Sequence, residues 1–416
     1  MQSLKLKLVK ILLLAMLFLV PLVGPWFGLG YEQSKVLFFF LGMTLAGVLW
    51  LKDKPKIKWT PLKLGGLGFL GILGVSSILG ISPKDSLLGV EPYYQGFILY
   101  AFLFLFFLLV SASGIKEEIW AKTLLLSSLI VSFFATGDYV LLNFFHQNIP
   151  TYSGRVVSTF GQPNFYAGFL LLGMPFLGRL GRWGELGMLG AGVGILISGS
   201  RIAIVLMLVL LVLFFLGKLK NKLFFWGGGI LCAVILGGFL YLSGDTPSGL
   251  IWQEFTLPQF TRFDQFAPAD GAVEKRYYIW PIVWETIKER PILGYGLENI
   301  YPAWQKYFAV NYHAFFEENL KQSSVLIRLK DLGIDRSHNY VLDLLVFSGV
   351  LGLLGWLGVV GLMLKKVKSW PIFASLILYL IWVQFQNQSI IHLIYFWLLA
   401  GIIDPDLVGV DRESKS

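Results

Sequence analysis

The sequence predicts an all-α fold, a polytopic membrane helical bundle with about 12 transmembrane helices and one long, partly helical loop on the extracytoplasmic side. Three observations lead there. Of the 416 residues, 56% are hydrophobic and only 14% are charged, whereas a soluble domain carries roughly 25% charged residues. The apolar residues fall in runs of roughly 16 to 25 separated by short polar joints, the spacing a bilayer imposes. The basic residues are distributed unevenly between alternate joints, as the positive-inside bias requires.

Taken in order, the predicted spans lie at about 11–30, 36–51, 64–81, 96–113, 123–142, 164–178, 186–199, 202–217, 223–243, 340–364, 371–387 and 390–403. With Lys5, Lys7 and Lys10 in the cytoplasm, the inside segments hold 20 of the 34 basic residues against eight acidic ones. The short outside joints hold only Lys35, Lys84, Arg155 and Arg201, and the long outside loop holds ten basic and twelve acidic residues. Both termini are therefore expected inside, with an even number of spans. The formal net charge of +9, which in a soluble protein would suggest nucleic acid, records membrane orientation, and no nucleic-acid partner is expected. Pro21-Leu22-Val23-Gly24-Pro25 offers no small-x-small cleavage site, so the first span is expected to remain as an anchor. The chain thus divides into spans one to nine (1–243), the long loop (244–337), spans ten to twelve (338–404) and a cytoplasmic tail (405–416).

The loop is far longer than a simple connection needs, and no cytoplasmic segment exceeds about fifteen residues, too few for a nucleotide-binding domain. Chemistry is expected on the outer face. Cys232 is the only cysteine, and His146, His313, His338 and His392 never recur at i,i+3 or i,i+4, so no metal and no cofactor is expected. Gly66-Leu67-Gly68-Phe69-Leu70-Gly71 matches G-x-G-x-x-G but follows no strand, and reads as close helix packing, as do Gly190-x-x-x-Gly194 and Gly24-x-x-x-Gly28. Asp404-Pro405-Asp406 has the form of the D-x-D of metal-dependent sugar transferases, yet it lies where the last span ends on the inner side and reads as a helix stop.

Four outer segments carry the polar residues that look chemical. The first runs from Ser153 through Arg155 to Phe160-Gly161-Gln162-Pro163-Asn164; Asn164 is expected to cap the sixth span, and Arg155 suits a site role and a snorkelling role about equally. The second is Ser198-Gly199-Ser200-Arg201, where an arginine set tightly against the hydrocarbon beside a helix N-terminus favours anion binding. The third, Val273 to Arg290, reads as an amphipathic helix with Val273, Tyr277, Trp280, Trp284 and Ile287 on one face, Arg276 one turn before Trp280, and a kink expected at Pro281. The fourth is Arg336-Ser337-His338-Asn339, with Ser337 as the expected cap and His338 in the first turn of the tenth span.

These residue types suit transfer from a lipid diphosphate. Arginine forks bind its charge bidentately, and cations beside a good leaving group replace both a metal and a general acid. An attacking hydroxyl needs its proton removed or positioned, a task for one histidine. Trp252, Trp280, Trp284 and Trp304 in the long loop can stack on sugars or form an interfacial belt.

At these segments the sequence resembles the O-antigen ligase and polymerase superfamily of bacterial membrane glycosyltransferases. The matching pieces are Arg155…Phe160-Gly161-Gln162-Pro163-Asn164, Ser200-Arg201, Arg276…Trp280 leading to Pro291-Ile292-Leu293-Gly294-Tyr295-Gly296, and His338-Asn339…Gly349…Gly352, spanning about Arg155 to Gly355. The resemblance implies a GT-C-like bundle in the bacterial cytoplasmic (inner) membrane. It also implies metal-independent, inverting transfer of a glycan from an undecaprenyl-diphosphate carrier to a hydroxyl of a glycan, lipid or protein acceptor. By position, Arg201 and Arg276 would hold the diphosphate and His338 would activate the acceptor. Arg155, Asn164, Ser200 and Asn339 would support the substrates. Pro281 departs from the uninterrupted helix such a family member should have there. A surface-polysaccharide polymerase and a protein O-oligosaccharyltransferase share the donor chemistry. A transporter or flippase of lipid-linked sugars is the reading of a different class; it would favour ionisable residues deep in the spans, where Asp138 and Asp343 come nearest and have no assigned role.

Overall fold

The computed structural model describes residues 4–26, 28–52, 57–217, 272–306 and 335–406. The ninth predicted span (223–243), Cys232, Trp252, His313 and the tail from 407 lie outside these residues, and of Arg276 only the backbone is described.

The described chain is almost wholly helical: α1 (Leu4–Leu19), α2 (Tyr31–Leu51), α3 (Pro61–Ile78), the short α4 (Pro83–Leu88), α5 (Phe97–Ser113), α6 (Glu117–Asn143), α7 (Pro163–Leu177), α8 (Gly181–Ser198), α9 (Arg201–Gly217), α10 (Ala272–Glu289), α11 (Tyr340–Lys366), α12 (Trp370–Trp382) and α13 (Ile390–Ile403). Four of them, α2, α3, α6 and α11, are long and apolar enough to cross a membrane, and α5, α7, α9, α12 and α13 contain shorter apolar segments. Outward faces carry Phe133 on α6 at 74% exposure and Leu189 on α8 at 67%. Such surface is stable only against lipid, so this is a membrane-embedded helical protein.

Helices occur at each predicted span from the first to the eighth and from the tenth to the twelfth, but two boundaries differ. The first helix stops at Leu19, because Pro21 and Pro25 turn the chain, and Gly24 and Gly28 lie in that turn with nothing packed on them. The expected Gly24/Gly28 helix contact is therefore absent. The eleventh stops at Trp382, leaving residues 383–389 as an irregular strap. Gly66 packs against Phe104, and Gly194 against Leu170 and Ser132, as helix contacts should, whereas Gly68 and Gly71 face open space.

Alternate joints meet at opposite ends. At one end Asp404, the C-cap of α13, accepts from Thr60, Lys366 and, through its carbonyl, Ser111, while buried Lys63 reaches Asp406 at 2.6 Å. Arg179 and Ser369 both reach Glu117, at 3.3 and 2.8 Å. This bears out the helix-stop reading of Asp404-Pro405-Asp406, and the two aspartates fasten α3, α11 and α13 together. At the other end, Lys35 is fully buried on α2 and donates to the carbonyls of Val23 and of Thr159, the latter at 2.6 Å. Glu32, one turn earlier, accepts from Ser389 Oγ and Ile390 N, both at 2.9 Å, and anchors the start of α13.

Helix α11 is broken at Gly349, whose φ of 61° and ψ of −165° leave the helical region. The freed groups are met by the Pro291–Gly296 segment that follows α10. Tyr295 N and Gly296 N donate to the carbonyls of Val346 and Phe347 at 2.8 and 2.9 Å, and Val350 N and Leu351 N donate back to Pro291 and Ile292 at 2.8 and 3.3 Å. Ser76 Oγ completes the set with bonds of 2.6 and 2.5 Å to the Leu293 and Phe347 carbonyls. In an apolar surrounding each unmet backbone group costs several kcal/mol, so this exchange lets the helix break.

Gly349 sits at positive φ with the Ile292 carbonyl where a Cβ would stand, and Gly294 likewise faces the Val346 carbonyl. Gly349→Ala is expected to cost about 2 kcal/mol or more, read as a thermal transition in detergent lowered by several degrees relative to Gly358→Ala, a helical glycine with open space around it.

Candidate functional site

The site assembles at the Lys35 end, and a two-residue hairpin starts it. Thr151–Tyr152 pairs antiparallel with Arg155–Val156 across Ser153 and Gly154, both at positive φ (50° and 69°), the geometry of a tight primed turn. This aims Arg155 inward, where Nη1 donates to the Ser198 carbonyl at 3.2 Å and to Asn164 Oδ1 at 3.5 Å. Asn164 does not cap α7. Gln162 holds the N-cap position and Pro163 the first helical one, so Asn164 falls in the first turn with its side chain turned to Arg155 and to Gln386 Oε1, at 2.9 Å.

Gly199, left-handed at φ 61°, ends α8 and reverses the chain so that Arg201 opens α9. Arg155 Cδ would sit 3.4 Å from a Cβ at Gly199, so the two segments touch. Arg201 is close enough to Arg155 for the guanidinia to repel each other. Ser200 is buried, its N–H bonded to Ser198 Oγ at 3.0 Å, and its own hydroxyl has no hydrogen-bond partner among the described residues. The buried Tyr166 hydroxyl also lacks one and feels the charges of Arg155 and Asp138.

The second half is built on α10 and the turn before α11. Helix α10 spans the expected stretch and continues across Pro281 without restarting. Its buried face carries Ile279, Ile282, Val283, Thr286 and Ile287, while Trp280 and Trp284 are 37% and 50% exposed. The two tryptophans therefore lie off the packed stripe expected of them, and Arg276 stands one helical turn before Trp280. Trp280 Nε1 donates to the Ser337 carbonyl at 3.0 Å, tying the Arg276 helix to the His338 turn.

Asn339, not Ser337, caps α11: its Oδ1 accepts from Leu342 N at 3.1 Å. Ser337 is instead held from several sides, and His338, half-buried at φ 59°, lies before the helix, outside its first turn. The helix dipole thus bears less on its ring than it would from within the first turn. Arg336 is buried between the Tyr93 and Phe347 rings, with centroids at 4.6 and 5.0 Å, and is ion-paired with Glu298. Burial pulls the guanidinium pKa down, but Glu298, Asp343 and Tyr93 outweigh it and hold the group above its ordinary value. Burial pushes the Glu298 carboxyl above the usual carboxylate range, with Arg336 opposing.

The strap 383–389 joins the halves. Gln386 accepts from Asn164, the Gln384 carbonyl accepts from Asn339 Nδ2 at 3.4 Å, and the Val383 carbonyl accepts from Tyr340 N at 3.0 Å. Behind it, Gln388 and Asn387 bond Gln95, Tyr379 and Tyr93. The arrangement thus brings Arg155, Asn164, Ser200 and Arg201 together on one side of the strap and His338 and Asn339 on the other. The sequence reading missed the strap, although four amide side chains in one short stretch of an apolar span were a visible signal. His392 is structural: Nδ1 accepts from Ser389 N at 3.0 Å and Nε2 pairs with the Phe165 carbonyl at 3.1 Å. Among the described residues no three His, Cys, Asp or Glu side chains group as a metal site.

A family model described as O-antigen ligase matches residues 186–357. Over those residues the chain is similar to the O-antigen ligase family. The match begins within α8 and ends within α11, and includes Ser200, Arg201, Arg276, His338 and Asn339, while Arg155 and Asn164 precede it. This agrees with the resemblance drawn from the motifs and supports a membrane enzyme of O-antigen or polysaccharide processing. No curated protein matches the chain.

The Glu298–Arg336 pair sits beneath the His338 turn, and removing one partner strands a buried charge at a cost of roughly 3–5 kcal/mol. Glu298→Gln and Arg336→Met, singly, are each expected to lower folded yield and thermal stability sharply. The double variant should lose less than the sum of the two, and strictly additive losses would show the pair to be uncoupled.

Proposed function

We propose that this protein transfers a glycan from undecaprenyl diphosphate to an acceptor hydroxyl on a glycan, lipid or protein, at the outer face of the bacterial cytoplasmic membrane, with inversion and without a metal. The reading includes about twelve spans with both termini inside. The observation that carries it is that one strap bonds both Asn164, which Arg155 reaches, and Asn339, the neighbour of a single histidine. Arg155 and Arg201 repel each other in partly buried positions, so an anion placed between them relieves the repulsion and gains charge-assisted hydrogen bonds. A diphosphate fits that requirement, with Ser200 donating through its hydroxyl and Arg276 approaching along α10. Arg155 and Asn164 brace the pocket wall.

In this reading the acceptor oxygen attacks the anomeric carbon on the face opposite the diphosphate. The new carbon–oxygen bond forms as the bond to the diphosphate oxygen breaks, and the electron pair leaves with undecaprenyl diphosphate. The acceptor proton passes to the His338 imidazole, oriented beside Asn339. Arg201 and Arg276 meet the charge that grows on the leaving diphosphate, a preorganised electrostatic contribution.

The test is transfer by purified protein in vesicles supplied with undecaprenyl-diphosphate glycan and candidate acceptors. His338→Ala is expected to lower kcat by about 10²–10⁴-fold, and Arg201→Ala by about 10²–10³-fold. Chelator should leave transfer unchanged. Wild-type rates in both variants would overturn the site assignment, and a strict need for a divalent cation would overturn the cation-only mechanism.

A further inference from the structure

Ser337, fully buried, is held by every polar group it has. Its N–H donates to Asp343 Oδ1 at 2.8 Å, its carbonyl accepts the Trp280 indole N–H at 3.0 Å, and its hydroxyl donates to the Asn339 carbonyl at 2.8 Å while accepting from Asn339 N at 3.2 Å. The carbonyl that Trp280 holds belongs to the peptide unit whose nitrogen is that of His338. Both peptide planes flanking Ser337 are therefore pinned, and the next residue is carried at φ 59°, a conformation side chains with a Cβ seldom adopt. Such backbone persists only where the surroundings over-determine it.

Asp343 is an unusual residue for this task. It lies in the first turns of α11, only 5% exposed, and its carboxylate reaches back past the cap to an amide outside the helix. Trp280 approaches from a different element, the helix that carries Arg276. From this geometry we infer that Asp343 and Trp280 are positioning residues that set the aim of His338, Asp343 from within α11 and Trp280 by tying the histidine turn to α10. The inference rests on the reading of His338 as the group that takes the acceptor proton. It gives Asp343 a role at the outer face and makes the spacing between α10 and the histidine turn part of the catalytic geometry.

Three variants test it beside His338→Ala in the vesicle transfer assay. Trp280→Phe keeps the ring and removes the donor, Asp343→Leu removes the acceptor, and Asp343→Asn keeps an acceptor oxygen at the same reach. Trp280→Phe and Asp343→Leu are each expected to lower kcat by roughly 30- to 100-fold, the scale of a misplacement near 1 Å, with the donor KM within about threefold of wild type because the arginine pocket is untouched. Asp343→Asn is expected to recover kcat to within about fivefold of wild type. If Asp343→Leu does not fold, Trp280→Phe on a partly exposed residue still decides the matter. Wild-type kcat in Trp280→Phe with His338→Ala inactive would overturn the positioning role while leaving the transferase reading intact. So would an Asp343→Asn protein as impaired as Asp343→Leu. Full activity in His338→Ala would overturn the reading on which both rest.

Discussion

A helix that breaks within an apolar bundle exposes N–H and C=O groups that no solvent will satisfy, and much of this site follows from how the break in α11 is met. The Pro291–Gly296 segment supplies two donors and two acceptors to the groups freed around Gly349. Because that segment is continuous with α10, satisfying the break also fixes where α10 lies against α11. The Trp280 contact to Ser337, and with it the distance from the Arg276 helix to the His338 turn, depends on that placement. Three residues beyond Tyr295, Glu298 pairs with Arg336, so the same segment also holds the buried arginine of the histidine turn. Backbone accounting at one glycine thus sets the register of two elements that carry candidate catalytic groups.

The two ends of the bundle treat charge differently. At the tail end Lys63 and Lys366 meet the carboxylates of Asp404 and Asp406, an arrangement that closes the ends of three helices. At the site end Lys35 is given over to backbone carbonyls and Glu32 to the first amide of α13, so each holds an irregular segment in place. Arg155 donates to a carbonyl and a side-chain amide, and its charge also bears on the partly buried Arg201. Holding two cations at close range costs free energy that a bound dianion returns, which is how a site can select a phosphate-bearing ligand without being rigidly complementary to it beforehand.

Helix positions among the described residues were largely legible because they follow from hydropathy alone: α5, α9, α11 and α13 fall within a few residues of their predicted spans. The candidate arginines stood out in the sequence because charge against hydrocarbon needs a reason. What the sequence did not reveal is which of two adjacent polar residues does which job. Ser337 and Asn339 both have capping side chains, and only the tertiary hold on Ser337 by Asp343 and Trp280 leaves the cap to Asn339. Asn164 was similarly displaced from capping by Pro163, which takes the first helical position and leaves the amide facing Arg155 and Gln386.

The strap at 383–389 illustrates why an apolar average hides a site. Read as part of a span, its four amides are diluted by flanking tryptophan, valine and phenylalanine, and the hydropathy stays high enough to suggest a helix continuing to residue 387. In the fold the helix stops at Trp382 because each of these amides, or its backbone, has a better partner than the next helical turn: Gln384 with Asn339, Gln386 with Asn164, Asn387 with Tyr93 and Gln388 with Tyr379. Those partners come from α5's approach, α7, α11 and α12, so a one-residue slip of the strap would break contacts to both halves of the site at once. An amide-rich strap is suited to that place because amides donate and accept without carrying charge, and so can join an arginine pocket to a histidine turn without neutralising the one or protonating the other.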